Sequence, residues 1–251
     1  MGLRTFIKNF SYKYKYRIHR HDQYIQKSYF ITGANSGIGL ALTKKLLENN
    51  NLVFATYREK CDKLLLIKNK NLKIIPCNQE YLDQINHIKN YINNIPINIL
   101  INNTGIWGSQ NQDLEDLDYK IFEKTLRINA LSGLKFSEVI LKNSRKNSLK
   151  IILNISSSGG SIENNNEGNA IIYRVSKTAL NSITKNMSLY LKKKYNICCF
   201  ALDPGNVKTN LNPKGILDPE TCANHIINII NQFNEDLNGK FIDLLKKEIP
   251  W

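Results

Sequence analysis

The chain has 251 residues, 42% of them hydrophobic, which suffices for one α/β domain with a sizeable core. No apolar run approaches the roughly 18 residues of a membrane-spanning helix, so no span is expected. The formal net charge of +14 admits nucleic acid or an anionic membrane as a partner, but Lys, Asn and Ile are abundant throughout; the charge is read as compositional, and no nucleic acid is expected.

Residues 1–27 form a basic N-terminal extension with seven Lys/Arg against one Asp. Leu3, Phe6, Ile7 and Phe10 fall at helical spacing with Arg4 and Lys8 between them, a pattern that suits a transit peptide, a membrane-surface helix or a loosely packed leader. Gly2 does not open a myristoylation motif, because position 6 is Phe. The expected location is cytoplasmic, with organelle targeting through this segment as the alternative.

From Ser28 onward, short apolar runs alternate with amphipathic stretches. Strands are predicted at 29–32, 52–56, 72–75, 97–101, 151–155 and 197–202, and helices near 37–49, 81–94, 115–143, 171–194 and 219–233. Such alternation specifies a single Rossmann-type doubly wound parallel sheet with helices on both faces, over residues 28–251. Five cysteines without a Cys-x-x-Cys read as free thiols in a reducing compartment. His19 and His21 lie in the polar leader, and no metal is expected.

Thr32-Gly33-Ala34-Asn35-Ser36-Gly37-Ile38-Gly39 follows the first strand and opens a helix. Glycines at this spacing allow a tight turn and a close approach of backbone to a pyrophosphate at the helix N-terminus. The second strand ends at Thr56-Tyr57-Arg58-Glu59. An acid there would take the ribose hydroxyls of NAD, whereas the fork of Arg58 suits a 2′-phosphate. NADP is therefore preferred and NAD is less favoured; Glu59 takes the acidic role if the register slips by a residue.

Tyr173 and Lys177 stand four apart in a predicted helix, which puts a phenol and an ammonium on one face. A tyrosine titrates near ~10 when unperturbed and is then a poor base. A neighbouring cation is expected to lower that value by roughly 2–3 pH units, about 3–4 kcal/mol, and make it a proton donor and acceptor. Ser156, Ser157 and Ser158 lie upstream.

On Thr32 to Gly39, Asn102-Asn103-Thr104-Gly105, Arg127-Ile128-Asn129-Ala130, the serine cluster, Tyr173-x-x-x-Lys177 and Pro204-Gly205, the chain resembles the short-chain dehydrogenase/reductase family. Gly160-Ser161-Ile162, Tyr173 to Asn181 and the ending Gly239 to Trp251 are similar to its carbonyl-reductase and C-factor-like branch. The resemblance implies a catalytic set of Asn129, Ser157, Tyr173 and Lys177, with Ser157 chosen by alignment between two serine neighbours. It implies a cofactor site of Gly33, Asn35, Ser36, Gly37, Ile38, Gly39, Arg58, Asn78, Asn103, Gly105, Tyr173, Lys177, Pro204, Gly205, Val207 and Thr209. Asn129 would hold a water linking Lys177 to solvent. The implied activity is NADP(H)-dependent hydride transfer between nicotinamide and a carbonyl or alcohol substrate, in a homodimer or homotetramer.

The chain departs from the pattern at Thr104, expected to crowd the nicotinamide ribose, at Asn78, where an aspartate usually bonds adenine, and at Asn206. Residues 206–220 are a candidate substrate lid, with Leu211, Ile216 and Leu217 as its apolar wall or as tethers of the loop. Trp107 is expected near the cleft mouth, against substrate or as a loop anchor. Two further readings stand beside the enzyme: a catalytically silent NADP-binding regulatory or scaffold protein, and a nucleic-acid or membrane-surface role for residues 1–27.

Overall fold

In the computed structural model, which describes residues 26–251, the apolar runs become β1 (Ser28–Ile31), β2 (Leu52–Tyr57), β3 (Leu72–Pro76), β4 (Ile99–Asn102), β5 (Ile151–Ile155), β6 (Cys198–Leu202) and β7 (Phe241–Ile242). They pair in the order β3-β2-β1-β4-β5-β6-β7, every pair parallel. Because β1 lies between β2 and β4, the connections reverse direction there and leave a crevice beyond the strand ends. The leader expected over residues 1–27 lies outside the described residues except for Gln26 and Lys27.

Both faces of the sheet are covered, so the strands are apolar on both sides. Tyr29 and Ile31 of β1 join Val53, Ile101 and Leu153 in one core with Leu42 and Leu46 of α1 (Gly37–Glu48), which packs beside a later helix. Phe30, on the opposite face, stacks on Phe54 at 6.2 Å and tilts against Phe136 at 5.8 Å. The stretch near 81–94 is not one helix. The described chain has a short α2 (Asp62–Leu65), then a 3-10 stretch at Leu82–Ile88, then the single turn α3 (Lys89–Ile92).

The long stretch at 115–143 divides into α4 (Tyr119–Leu126), a π-helical segment at Arg127–Leu131, and α5 (Ser132–Asn143). Asp118 caps α4 by accepting from the backbone of Lys120 and Ile121. The 25-residue α6 (Ile171–Tyr195) buries Ile172, Tyr173, Ser176, Lys177, Leu180, Asn181 and Thr184, a stripe at three- and four-residue spacing. It starts after Ala170 and ends before Asn196, both in left-handed conformation. Asp218 and Pro219 start α7 (Pro219–Asn231), the partner of α1, and Ile226 and Ile230 of α7 reach the same core.

The two-residue β7 was not among the predicted strands. It exists through pairing with Ala201 and Leu202, a partner more than thirty residues away, and through the stacking of Phe241 on Trp251 at 5.7 Å. Phe30 is fully buried at the centre of its aromatic group. Phe30→Ala should cost about 3–5 kcal/mol of stability, read as a lower denaturant midpoint with an unchanged slope; an unchanged midpoint would contradict this packing.

Candidate active site

The crevice at the β1/β4 switch point opens into a cleft of about 570 Å³. Two loops are stitched together at its floor. Thr32 Oγ1 accepts from the backbone N–H groups of Asn103 and Thr104 at 2.9 and 3.1 Å, and Asn103 Nδ2 donates to the carbonyls of Thr32 and Gly33 at 2.9 and 3.1 Å. A side chain at Gly39 would meet the Gly33 carbonyl and the Asn103 amide inside contact distance. Gly39 therefore lets the first turn of α1 sit on these loops. Gly33 and Gly37 occupy the left-handed region at φ 62° and 52°. The N-terminus of α1 carries no side-chain cap and no acidic residue in its first turn.

Of the cofactor residues expected from the sequence, Gly33, Asn35, Ser36, Gly37, Ile38, Arg58, Asn78, Asn103, Gly105, Tyr173, Lys177, Pro204 and Thr209 line this cleft. Gly39, Gly205 and Val207 do not: Gly39 is behind the loop floor, Val207 is buried and bridges Leu217, and Gly205 turns outward with open space beside it. Arg58 and Glu59 both reach the cleft wall and pair with each other at 3.0 Å, so acid and base occupy the end of β2 together. Lys60 lines the same wall, and its carbonyl accepts from Asn35 Nδ2 at 3.0 Å.

Thr104 lines the cleft beside Gly105. Its hydroxyl accepts from Gln79 Nε2 at 2.7 Å, and Gln79 in turn accepts from Ser132 Oγ at 3.3 Å. Asn78 Oδ1 is engaged by the backbone of Glu80 at 3.1 Å.

The three serines after β5 have three different environments. Ser156 is buried and donates to Asn181 Oδ1 at 2.6 Å. Ser158 hydrogen-bonds Asp203. Ser157 hydrogen-bonds the Tyr173 phenol, with its Oγ also accepting from the Gly159 N–H at 3.1 Å.

Burial sets the electrostatics. The Tyr173 phenol is pushed up to about 12 by burial, against the lowering hydrogen bond of Ser157 and with a smaller upward push from Asp203. The expected lowering by Lys177 does not occur: its Nζ lies 5.8 Å from the ring centroid and donates to the Ile155 carbonyl at 2.9 Å. Burial holds Lys177 itself down at about 8, with Asp203 opposing. Asp203 is raised by burial, opposed by hydrogen bonds from Gly205 and Ser158. Asp203 was not singled out from the sequence; its signal was an acid at the end of β6, directly before Pro204-Gly205.

Asn129 sits in the π segment and does not line the cleft. Its Oδ1 accepts from the Ile106 N–H at 2.8 Å, and its Nδ2 donates to the Ile106 carbonyl and to Ser176 Oγ, each at 2.9 Å. The space beside Gly105 lies between Lys177 Nζ and Asn129 Oδ1, where an added Cβ would be 3.5 and 3.7 Å from the two.

Leu211, Ile216 and Leu217 of the loop after β6 go to three different places. The loop folds on itself through the Val207–Leu217 bridge and reciprocal backbone bonds between Thr209 and Asn212. Leu211 reaches the dinucleotide cleft, Leu217 packs on the core and Ile216 points outward. The Trp107 ring, which the sequence left between two roles, stacks on Tyr173 with centroids 4.6 Å apart. Gln112, unremarked in the sequence, holds this loop: its Nε2 donates to the carbonyls of Trp107 and Ser109, and its Oε1 accepts from the Tyr173 N–H at 3.0 Å.

This arrangement has recognisable relatives. The chain is 32% identical over 157 residues to C-signal of Myxococcus xanthus, covering 62% of this chain and 93% of that protein. The structure superposes on the carbonyl reductase Sniffer of D. melanogaster with a TM-score of 0.82 at 27% identity, covering 90% of this chain and all of that one. It superposes on the NADPH-bound carbonyl reductase from chicken fatty liver with a TM-score of 0.79 at 28% identity, covering 90% and 99%. The short chain dehydrogenase family model matches residues 27–218, a span that runs from β1 past Tyr173 and Lys177 to the loop after β6. That match covers the switch-point cleft and most of the chain, and the chain belongs to the short chain dehydrogenase family of oxidoreductases.

Proposed function

We propose that the chain is an NADP(H)-dependent oxidoreductase that moves a hydride between nicotinamide and a carbonyl or alcohol substrate, with Tyr173 as proton donor and acceptor. The observation that carries this reading is the Tyr173 phenol, hydrogen-bonded to Ser157 and standing where the cleft meets a second cavity. The cleft fits a dinucleotide. The uncapped amides at the start of α1 and the left-handed Gly33 and Gly37 form a backbone cradle for a pyrophosphate. Arg58 and Lys60 bring cationic side chains to the end where a 2′-phosphate would lie, and Glu59 is the group a bound phosphate would displace from Arg58. The relative solved with NADPH supports the same choice.

When bound, a reduced nicotinamide supplies the hydride. As the carbonyl carbon takes it, the C–O π pair moves onto the oxygen, which takes the Tyr173 proton. A phenol held at about 12 keeps its proton at neutral pH, so the site rests as an acid ready for reduction. Ser157 hydrogen-bonds the same oxygen as its charge develops. Lys177, cationic below about 8 and lining the cleft, would bond the ribose of a bound nicotinamide. Asn129 and Lys177 flank the space beside Gly105, where a water would return a proton to the site.

Exposed Leu131 at the end of the π segment and Leu134 on α5, with Val175, Leu189 and Tyr190 on α6, support pairing of copies as a homodimer or homotetramer through these helices. Five unpaired cysteines fit a reducing cytoplasmic location, with organelle targeting through residues 1–27 as the alternative. No helix among the described residues is long and apolar enough to cross a membrane.

Tyr173→Phe should lower kcat for carbonyl reduction by about 10²–10⁴-fold, with a much smaller change in NADPH affinity; retained turnover would remove the proton-transfer assignment. Arg58→Asp should weaken NADPH binding by roughly 10- to 100-fold, the value of a lost charged hydrogen bond, and reverse the order of NADPH and NADH in an equilibrium titration. The kcat/KM for NADPH should fall as pH rises through about 8, where Lys177 loses its proton, because Tyr173 keeps its own to about 12. A profile flat to pH 10 would separate Lys177 from the reaction.

A further inference from the structure

A second cavity, of about 510 Å³, opens on the far side of Tyr173 and shares only Trp107 and Tyr173 with the dinucleotide cleft. Ser157 lines it, so it lies on the side from which a substrate carbonyl would reach both hydroxyls. The rings of Trp107 and Tyr173 give it an apolar wall, and the rest of its lining is richer in polar groups than is ordinary for a pocket of this size. The loop after β4 contributes Gln110, Asn111 and Asp113, and the approach to α6 with its first turn contributes Glu167, Asn169 and Arg174. No aliphatic side chain larger than that of Ala170 reaches it.

The charges narrow the choice further. Arg174 is already engaged: its Nη2 donates to Glu167 Oε2 at 3.0 Å and to Asn169 Oδ1 at 3.1 Å, and its Nε to Asn169 Oδ1 at 3.1 Å. With Asp113 and Glu167 against one guanidinium, the lining carries a net charge of −1 and repels a carboxylate or phosphate. An apolar guest would strip water from amides and carboxylates and return no hydrogen bonds, which costs binding for each group left unpaired. A hydroxyl both donates and accepts, and so matches amide and carboxylate partners alike.

We propose that the substrate is a small, neutral, hydroxylated carbonyl compound, a hydroxyaldehyde or hydroxyketone. Its carbonyl oxygen sits at Tyr173 and Ser157, and its hydroxyls face Gln110, Asn111, Asp113 and Asn169. This rests on the oxidoreductase reading above and specifies its substrate; the reduction is the same two-electron step, with NADPH as reductant and a diol as product.

The test uses the full chain with NADPH and four ketones. Hydroxyacetone is compared with butanone, its near-isostere, with methoxyacetone, which keeps the electron-withdrawing oxygen but lacks the O–H, and with anionic pyruvate. Hydroxyacetone should exceed each of the others in kcat/KM by tenfold or more, since a site built to bond a hydroxyl rejects the analogue without one. The double variant E167L/N169L should shrink the hydroxyacetone-to-methoxyacetone ratio by about tenfold. Saturation-transfer NMR without cofactor should show hydroxyacetone contacting the protein more strongly than butanone. Turnover that favours butanone, methoxyacetone or pyruvate would overturn the substrate class and leave the oxidoreductase reading standing. Absence of NADPH oxidation with these ketones and with simple aldehydes and quinones would overturn both.

Discussion

One side-chain amide holds the parts of the site in register. Asn129 clasps both backbone groups of Ile106 and donates to Ser176, whose hydroxyl donates to the Tyr173 carbonyl at 2.7 Å. The loop after β4, the α4–α5 junction and the Tyr173 turn of α6 are thereby one hydrogen-bonded unit. The π segment at Arg127–Leu131 belongs to this arrangement, and such local widenings of a helix recur at functional positions. Since the Asn129 amide is buried, removing it would strand the Ile106 groups, and the loss would fall on site geometry as well as on stability.

The sheet was legible because a parallel sheet covered on both faces leaves continuous apolar runs in the chain. β5 falls on Ile151–Ile155 as read, and β1, β2, β3, β4 and β6 shift by one or two residues. What the sequence hid depends on distant partners. The Phe241–Ile242 strand is too short to show a period and is defined by β6 and Trp251. The 81–94 stretch has amphipathic spacing, yet half of it, Leu82–Ile88, is wound as 3-10 helix where it lies against α5. Ile216 and Leu217 are adjacent and chemically alike, but the bridge to Val207 turns one outward and the other onto the core.

The site was legible as a set of residues and not as an electrostatic environment. Spacing places Tyr173 and Lys177 on one face, and the ammonium lies 5.8 Å from the ring centroid. Spacing does not reveal that both are buried, that Lys177 is turned to the Ile155 carbonyl, or that Asp203 stands near both. Desolvation therefore outweighs the Ser157 hydrogen bond for the phenol and shifts each group toward its neutral form. The choice among three consecutive serines has the same character, since only the tertiary neighbours Asn181, Tyr173 and Asp203 tell them apart.

The stacking of Trp107 on Tyr173 has an optical consequence. The chain holds two tryptophans, and the other, Trp251, lies against Phe241 on the last strand. With Trp251 replaced by phenylalanine, the remaining indole emission would come from the boundary between the two cavities. Its quenching or colour would then report separately on the arrival of dinucleotide from one side and of the reducible compound from the other, without any attached dye.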